Sequence, residues 1–178
     1  AALAILGHAN LTGVAIAGSP FAEQFTGLCR TVEHLWQPDG SFHTFLKPRD
    51  RRDNQNFYPG EALLLWASLY SRTQDAELLA KCRQSITYYR TWHQQHRNPA
   101  FVPWHTQAYA LLYQATGDRD FLNLIFDMND WLLPLQQWGS AHYEDLQGRF
   151  YNPKHPDYGP PHASSTGVYL EGLVDAYR

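Results

Sequence analysis

One pattern is written three times in this chain, and a repeat of that kind fixes architecture more firmly than local propensity does. Gly60-Glu-Ala-Leu-Leu-Leu-Trp-Ala-Ser-Leu-Tyr70 follows Tyr58-Pro59 and sets small and apolar residues at helical spacing, with Ser71-Arg-Thr-Gln-Asp75 as a polar close. A shift of 43 positions finds Pro103-Trp-His-Thr-Gln-Ala-Tyr-Ala-Leu-Leu-Tyr113 closed by Gln114-Ala-Thr-Gly-Asp118, so Tyr70, Thr73 and Asp75 fall on Tyr113, Thr116 and Asp118. A shift of 107 lays Gly167-Val-Tyr-Leu-Glu-Gly-Leu-Val-Asp-Ala-Tyr177 on the first copy, pairing Leu63 with Leu170 and Tyr70 with Tyr177. Ile5-Leu-Gly-His-Ala-Asn-Leu-Thr-Gly13 ends as the second copy does, Thr12-Gly13 against Thr116-Gly117, and reads as the tail of a fourth.

Each tail before the last is followed by a second kind of helix, predicted over 20–37, 75–97 and 118–138, with Leu, Phe, Tyr and Trp on one stripe and polar residues elsewhere. The first kind is apolar nearly all round (Ala62 to Leu65, Ala67; Ala108, Ala110 to Leu112). Inner and outer rings of helices require that difference. The pattern predicts an all-α fold: an α/α toroid of about three to four helical hairpins, 1–178 as one domain. A linear tetratricopeptide array is the rival, with a stricter period of about 34 residues. Because the repeat stops mid-unit at both ends, the expectation is a fragment of a larger toroid, or a chain that leans on further hairpins or a second copy.

The connections add detail. Gln37-Pro-Asp-Gly-Ser-Phe-His-Thr-Phe45 and Tyr143-Glu-Asp-Leu-Gln-Gly-Arg-Phe-Tyr151 each set a glycine (Gly40, Gly148) before an aromatic-bearing run and predict short β-hairpin-like flaps. Long irregular loops, Lys47 to Asn56 and Asn152 to Pro161, follow them. Both would wall the mouth where the inner helices begin.

Net charge is −3 with 17% charged residues, which gives no reason to expect nucleic acid or a membrane surface as partner; a saccharide or other neutral small molecule fits better. Aromatics reach 15%, with 6 Trp and 11 Tyr, and flat rings stack on sugars as well as filling a wide helical core. Cys29 and Cys82 lack the spacing of a metal clip or redox pair and read as buried thiols. No apolar run approaches a membrane span and no signal peptide is evident, so localisation is weakly constrained, with the cytoplasm favoured.

The mouth selects candidate site residues: Asn56, Phe57, Tyr58 and Glu61 from the first copy; Trp104, His105 and Gln107 from the second; His162, Ser164, Ser165, Thr166 and Glu171 from the third. Glu61 and Glu171 are acids in apolar inner helices, where an uncompensated charge is costly. A facing pair could serve as acid and base in glycoside hydrolysis. The ordinary alternative is an acid that complements a helix dipole. His105 beside Trp104 is a candidate acid/base, or a packed histidine. His162 with Ser164 to Thr166 is a candidate binding cluster, or a helix cap. Glu61, His105 and Glu171 are thus the expected catalytic residues, and Tyr58, Trp104, Gln107 and His162 the expected substrate contacts. No metal or cofactor is expected: His43, His105, His142, His155 and His162 show no HxxxH spacing, and GxSxG and GxxxxGK are missing.

Phe57-Tyr-Pro-Gly-Glu-Ala-Leu-Leu-Leu-Trp66 with Thr73-Gln-Asp75, Trp104-His105 with Tyr113-Gln-Ala-Thr-Gly-Asp118, and Ser165-Thr-Gly-Val-Tyr-Leu-Glu-Gly-Leu173 together resemble bacterial six-hairpin α/α-toroid proteins. These are related in fold to N-acylglucosamine 2-epimerase and six-hairpin glycosidases. The resemblance implies a carbohydrate-active protein, glycoside hydrolase or sugar epimerase, with Glu61, Trp104, His105 and Glu171 at its cavity. The alternatives are a non-catalytic helical-repeat binding module and the scaffold portion of a larger enzyme.

Overall fold

The structure is a computed structural model that describes residues 1–139 and 144–178. Its helices are α1 (Ala2–Thr12), α2 (Ala22–Leu35), α3 (Tyr58–Thr73), α4 (Ala76–Gln95), α5 (Val102–Thr116), α6 (Arg119–Leu132) and α7 (Ala163–Tyr177), and no strand occurs among the described residues. The chain is an all-α helical repeat. The helices begin and end within a few residues of the sequence expectation; the third outer helix stops at Leu132, where Leu133–Leu135 tightens into a 3-10 turn over Pro134.

The repeated corner has a physical basis that recurs bond for bond. Thr12, Thr73 and Thr116 each end an inner helix and donate the hydroxyl to the carbonyl four residues back, His8 at 2.8 Å, Leu69 at 3.0 Å and Leu112 at 2.6 Å. Each hydroxyl oxygen then accepts from the backbone N–H two residues on, that of Val14, Asp75 or Asp118. Between them sits a residue in the left-handed region: Gly13 at φ 70°, Gln74 at 55°, Gly117 at 69°. Asp75 and Asp118 cap the outer helices that follow, accepting from Glu77 and Leu78 and from Asp120. The Thr-x-Asp spelling is thus a helix stop and a helix start in three residues.

Two rows of helices result. The inner row runs α1, α3, α5, α7. Small residues set its spacing: a Cβ on Gly60 would stand 2.6 Å from Cβ of Trp104, and one on Gly172 2.8 Å from Cα of Pro103, so α3 and α7 both ride close against α5. Leu65 of α3 packs with Ala2 and Leu6 of α1. The outer row is α2, α4, α6, and ion pairs tie its members: Lys81 to Glu33, Arg83 to Asp118, Arg90 to Asp120, Arg97 to Asp127. Between the rows lies an aromatic core in which Tyr89, Phe101, Tyr109 and Phe121 are fully buried. Tyr89 accepts from the Phe42 N–H at 3.0 Å and donates to Oε1 of Gln55, tying the first flap to α4.

Both flaps close on a single antiparallel bridge, Trp36 with Phe42 and Gln136 with Phe150. Gln37 and Gln137 play one role, each donating its side-chain amide to the carbonyl two residues back, Leu35 and Leu135. Gly40 has φ 90° and its missing side chain leaves room for the Gln84 carbonyl, 2.5 Å from where a Cβ would stand. Tyr143, where the sequence starts the second flap, lies outside the described residues, as does His142.

Candidate functional site

The first copy builds a cavity. Helix α3 starts at Tyr58 with Pro59 in its first turn, and the next turn-forming residue on the mouth side is Glu61. Glu61 and Tyr58 line a cavity of about 230 Å³ whose other walls are α1 (Ala2, Leu3), α2 (Leu28, Thr31, Val32, Leu35) and the first flap (Phe42, His43, Thr44). Leu65 and Ala62 form its floor on the α3 side, so the lining is mostly apolar with a few polar groups at fixed places.

Those polar groups are held by the fold. Burial pushes the Glu61 carboxyl above the usual carboxylate range, although the residue keeps a solvent-exposed side at the mouth. Glu61 forms no ion pair and no side-chain hydrogen bond with any described residue. Nδ1 of His43 is buried and without a hydrogen-bond partner, while its backbone N–H donates to the Leu35 carbonyl at 2.8 Å and so fixes the ring's origin on the flap. Thr44 is anchored through its hydroxyl, which donates to the Asp53 carbonyl at 2.6 Å. A carboxyl whose pKa burial raises and an imidazole nitrogen with no hydrogen-bond partner therefore line one cavity, two groups of the kind that exchange protons with a small molecule.

The other expected residues are not brought there. His105 is 0% exposed and belongs to the aromatic core. Its ring stacks on Phe101 at a centroid distance of 3.6 Å, and Nδ1 lies 2.8 Å from the Phe101 carbonyl, an acceptor, so Nδ1 carries the proton and Nε2 is left without a partner. Burial drives its pKa down to about 3, holding it neutral, and it lines neither the first-copy cavity nor the groove between α5 and α7. This geometry gives His105 a packing role and does not fit the acid/base expectation. Trp104 is half-buried where α5 meets Gly60 of α3 and is likewise a packing residue. The physical reason is shared: α5 is the middle helix of the inner row, flanked by α3 and α7 and backed by α6, so its first turn has little surface to offer.

Glu171 and Gln107 meet in a separate, shallow groove between α7 and α5, with Gly167, Leu170, Val174 and Asp175. Glu61 and Glu171 therefore line different depressions, and the facing carboxylate pair is not formed within this chain. His162 is the exposed N-cap of α7, with no side-chain capping bond; its carbonyl accepts from the Thr166 N–H. Among the described residues, Ser164 and Ser165 make no side-chain capping bond to α7.

No family model, curated protein or solved structure matches this chain.

The cavity residue that sequence reasoning passed over is His43. The sequence carries a signal for it, since His43 sits between Phe42 and Phe45 of the flap expected to wall the mouth. Among the described residues no three His, Cys, Asp or Glu side chains gather into a metal site, and no helix is long and apolar enough to cross a membrane. Cys29 and Cys82 are free, and burial pushes the Cys82 thiol up to about 12, so it is inert packing.

Proposed function

We propose that this chain is a carbohydrate-active helical-repeat protein of the α/α-toroid type, whose proton-transfer centre is Glu61 with His43 in the first-copy cavity. The observation that carries the reading is the sharing of one mostly apolar cavity of about 230 Å³ by a desolvated carboxyl and an unpartnered imidazole nitrogen. That volume is below the roughly 300–1,000 Å³ of sites for larger ligands and suits a single ring. Tyr58 at the mouth offers a flat face and a hydroxyl, and the hydroxyl oxygens of Thr31 and Thr44, whose protons go to the carbonyls of Gly27 and Asp53, can accept from a polyol.

Between the two carbohydrate chemistries, one carboxyl and one imidazole in a cavity favour proton removal and return at a sugar carbon, the epimerase type. Hydrolysis by two carboxylates would need a second acid within roughly 5 to 9.5 Å of Glu61. In the epimerase reading one group takes the proton from the carbon and the other delivers a proton to the opposite face, and burial raises the pKa of Glu61, which suits a carboxyl to that exchange.

The test is turnover on a panel of free and acylated monosaccharides, followed by proton exchange from solvent deuterium, in the parent protein and in Glu61→Gln and His43→Gln. Deuterium incorporation in the parent that falls at least about a hundredfold in either variant is expected of an acid/base residue. Incorporation that persists in both variants removes these residues from the chemistry. A binding module is the second reading, favoured by the exposed apolar strip Leu170, Val174 and Tyr177 along α7, a face that fits a neighbouring helix.

A further inference from the structure

The loop Lys47-Pro-Arg-Asp-Arg-Arg-Asp53 concentrates four cations in six residues, in a chain whose net charge is −3. The fold roots this loop on the walls of the cavity at two points. At its end, the Asp53 carbonyl accepts from the hydroxyl of Thr44, a cavity-lining residue, at 2.6 Å. At its middle, the Arg49 guanidinium contacts Nε2 of His34, which lies on α2 between the cavity-lining residues Thr31 and Leu35. The loop thus leaves one wall of the cavity, the flap, and contacts α2, the helix that forms another, so it runs beside the cavity without lining it.

Its charges are only partly used. Arg51 pairs with Asp53 at 2.5 Å and covers the Phe45 ring at 4.1 Å. Lys47, Arg49 and Arg52 form no ion pair with any described residue, and all three are exposed. The nearby acids are Asp50 in the loop and Asp39 on the flap, whose carboxyl is held below the usual range by its hydrogen bonds from Ser41 against the opposing effect of burial, with Arg52 adding a smaller pull. Three cations without a carboxylate partner, of which Arg49 also contacts His34, therefore stand against two acids beside the cavity. A guanidinium is suited to two-point recognition of an oxyanion, and Arg49 and Arg52 supply two of them.

We infer that Lys47, Arg49 and Arg52 form an oxyanion-binding rim, so that the ligand of the Glu61 cavity is an acidic saccharide: a ring with a carboxylate or phosphate at one end that rests on the loop while the ring enters the cavity. The inference rests on the saccharide reading of that cavity and narrows it from neutral sugars to charged ones.

The experiment is binding by calorimetry, at low and at 0.5 M salt, of glucuronate, glucose 6-phosphate, glucose and inorganic phosphate to the parent chain and to Arg49→Gln/Arg52→Gln. Both substitutions are at exposed positions outside the helices and leave the core intact. Expected are charged sugars bound at least about tenfold more tightly than glucose, an advantage that shrinks in high salt and is lost in the double variant. The glucuronate and glucose 6-phosphate arms distinguish the two sources of the oxyanion. Charged and neutral sugars bound equally, with no effect of the double variant, overturns the rim and leaves the saccharide reading standing. Inorganic phosphate bound through Arg49 and Arg52 with no sugar bound sustains the rim and overturns the saccharide reading. Binding of none of the four overturns both.

Discussion

Replacing His93 by Phe should make the protein more resistant to acid. His93 is 0% exposed, neither ring nitrogen has a hydrogen-bond partner, and its ring stacks on Phe101 at 4.8 Å, with the His105 ring also stacked on Phe101 at 3.6 Å. Burial, with a smaller push from Arg97 against a pull from Asp127, lowers the His93 pKa to about 4; burial lowers that of His105 to about 3. Both values lie below the 6.5 of the unfolded chain, so the unfolded state takes up protons first. Stability from the neutral rings is complete above about pH 6.5 and is lost as pH falls from there toward 4 and 3. With both histidines titrating only in the unfolded chain, the slope is about 2.7 kcal/mol per pH unit, which between pH 7 and 4 removes roughly 6 kcal/mol, comparable with the whole stability of a typical domain. His93→Phe keeps the stacking, removes two unpaired buried nitrogens and deletes one of the two titrations. Its slope should fall to about half, leaving the variant roughly 3 kcal/mol more stable than the parent at pH 4. Urea unfolding followed by tryptophan fluorescence at intervals from pH 7.5 to 4 measures this. Parallel pH profiles for parent and variant would refute a buried, neutral His93.

Other substitutions test the packing and the cavity. Gly60→Ala should destabilise by about 1–2 kcal/mol in urea unfolding: a new Cβ 2.6 Å from that of Trp104 forces α3 off α5, and this outweighs the gain of about 0.5–1 kcal/mol that alanine brings to a helix interior. Gln74→Gly should stabilise by about 0.5–1 kcal/mol, because Gln74 alone of the three corner residues holds φ 55° with a side chain; a loss would mean that its weak bond to the Tyr70 carbonyl matters more than the backbone conformation. Glu61→Gln should not lower the melting temperature at pH 7: burial raises the carboxyl's pKa, so its contribution favours folding at low pH and is lost as pH rises through the raised value, and the amide removes that neutral-pH penalty. A marked fall in melting temperature would make Glu61 a structural residue.

The helices and their corners were legible because they are written in local chemistry. Thr73-Gln-Asp75 and Thr116-Gly-Asp118 carry their own stop and start bonds, and the apolar-all-round character of α3 and α5 announced burial on more than one side. The same character hid the fate of His105. Its place in the first turn of an inner helix pointed to the mouth, but whether that turn faces a cavity or a neighbour depends on how the rows pack, and α5 is covered on both sides by Gly60 and Gly172 contacts that no single helix reveals. Glu61 and Glu171 occupy matching helices, yet Glu61 is enclosed by α1, α2 and a flap, whereas Glu171 lies in an open groove between α7 and α5. His43 was missed because a flap residue's direction is set by the bridge between Trp36 and Phe42, a non-helical feature with no periodicity to read.

The most direct test of the site is an amide NMR titration of the isotope-labelled chain with glucuronate and with glucose. Shifts that cluster at Thr31, His43, Thr44 and Glu61 are expected if the first-copy cavity is where a saccharide binds. Shifts centred on Gln107, Gly167 and Glu171, or none at saturating sugar, would contradict it.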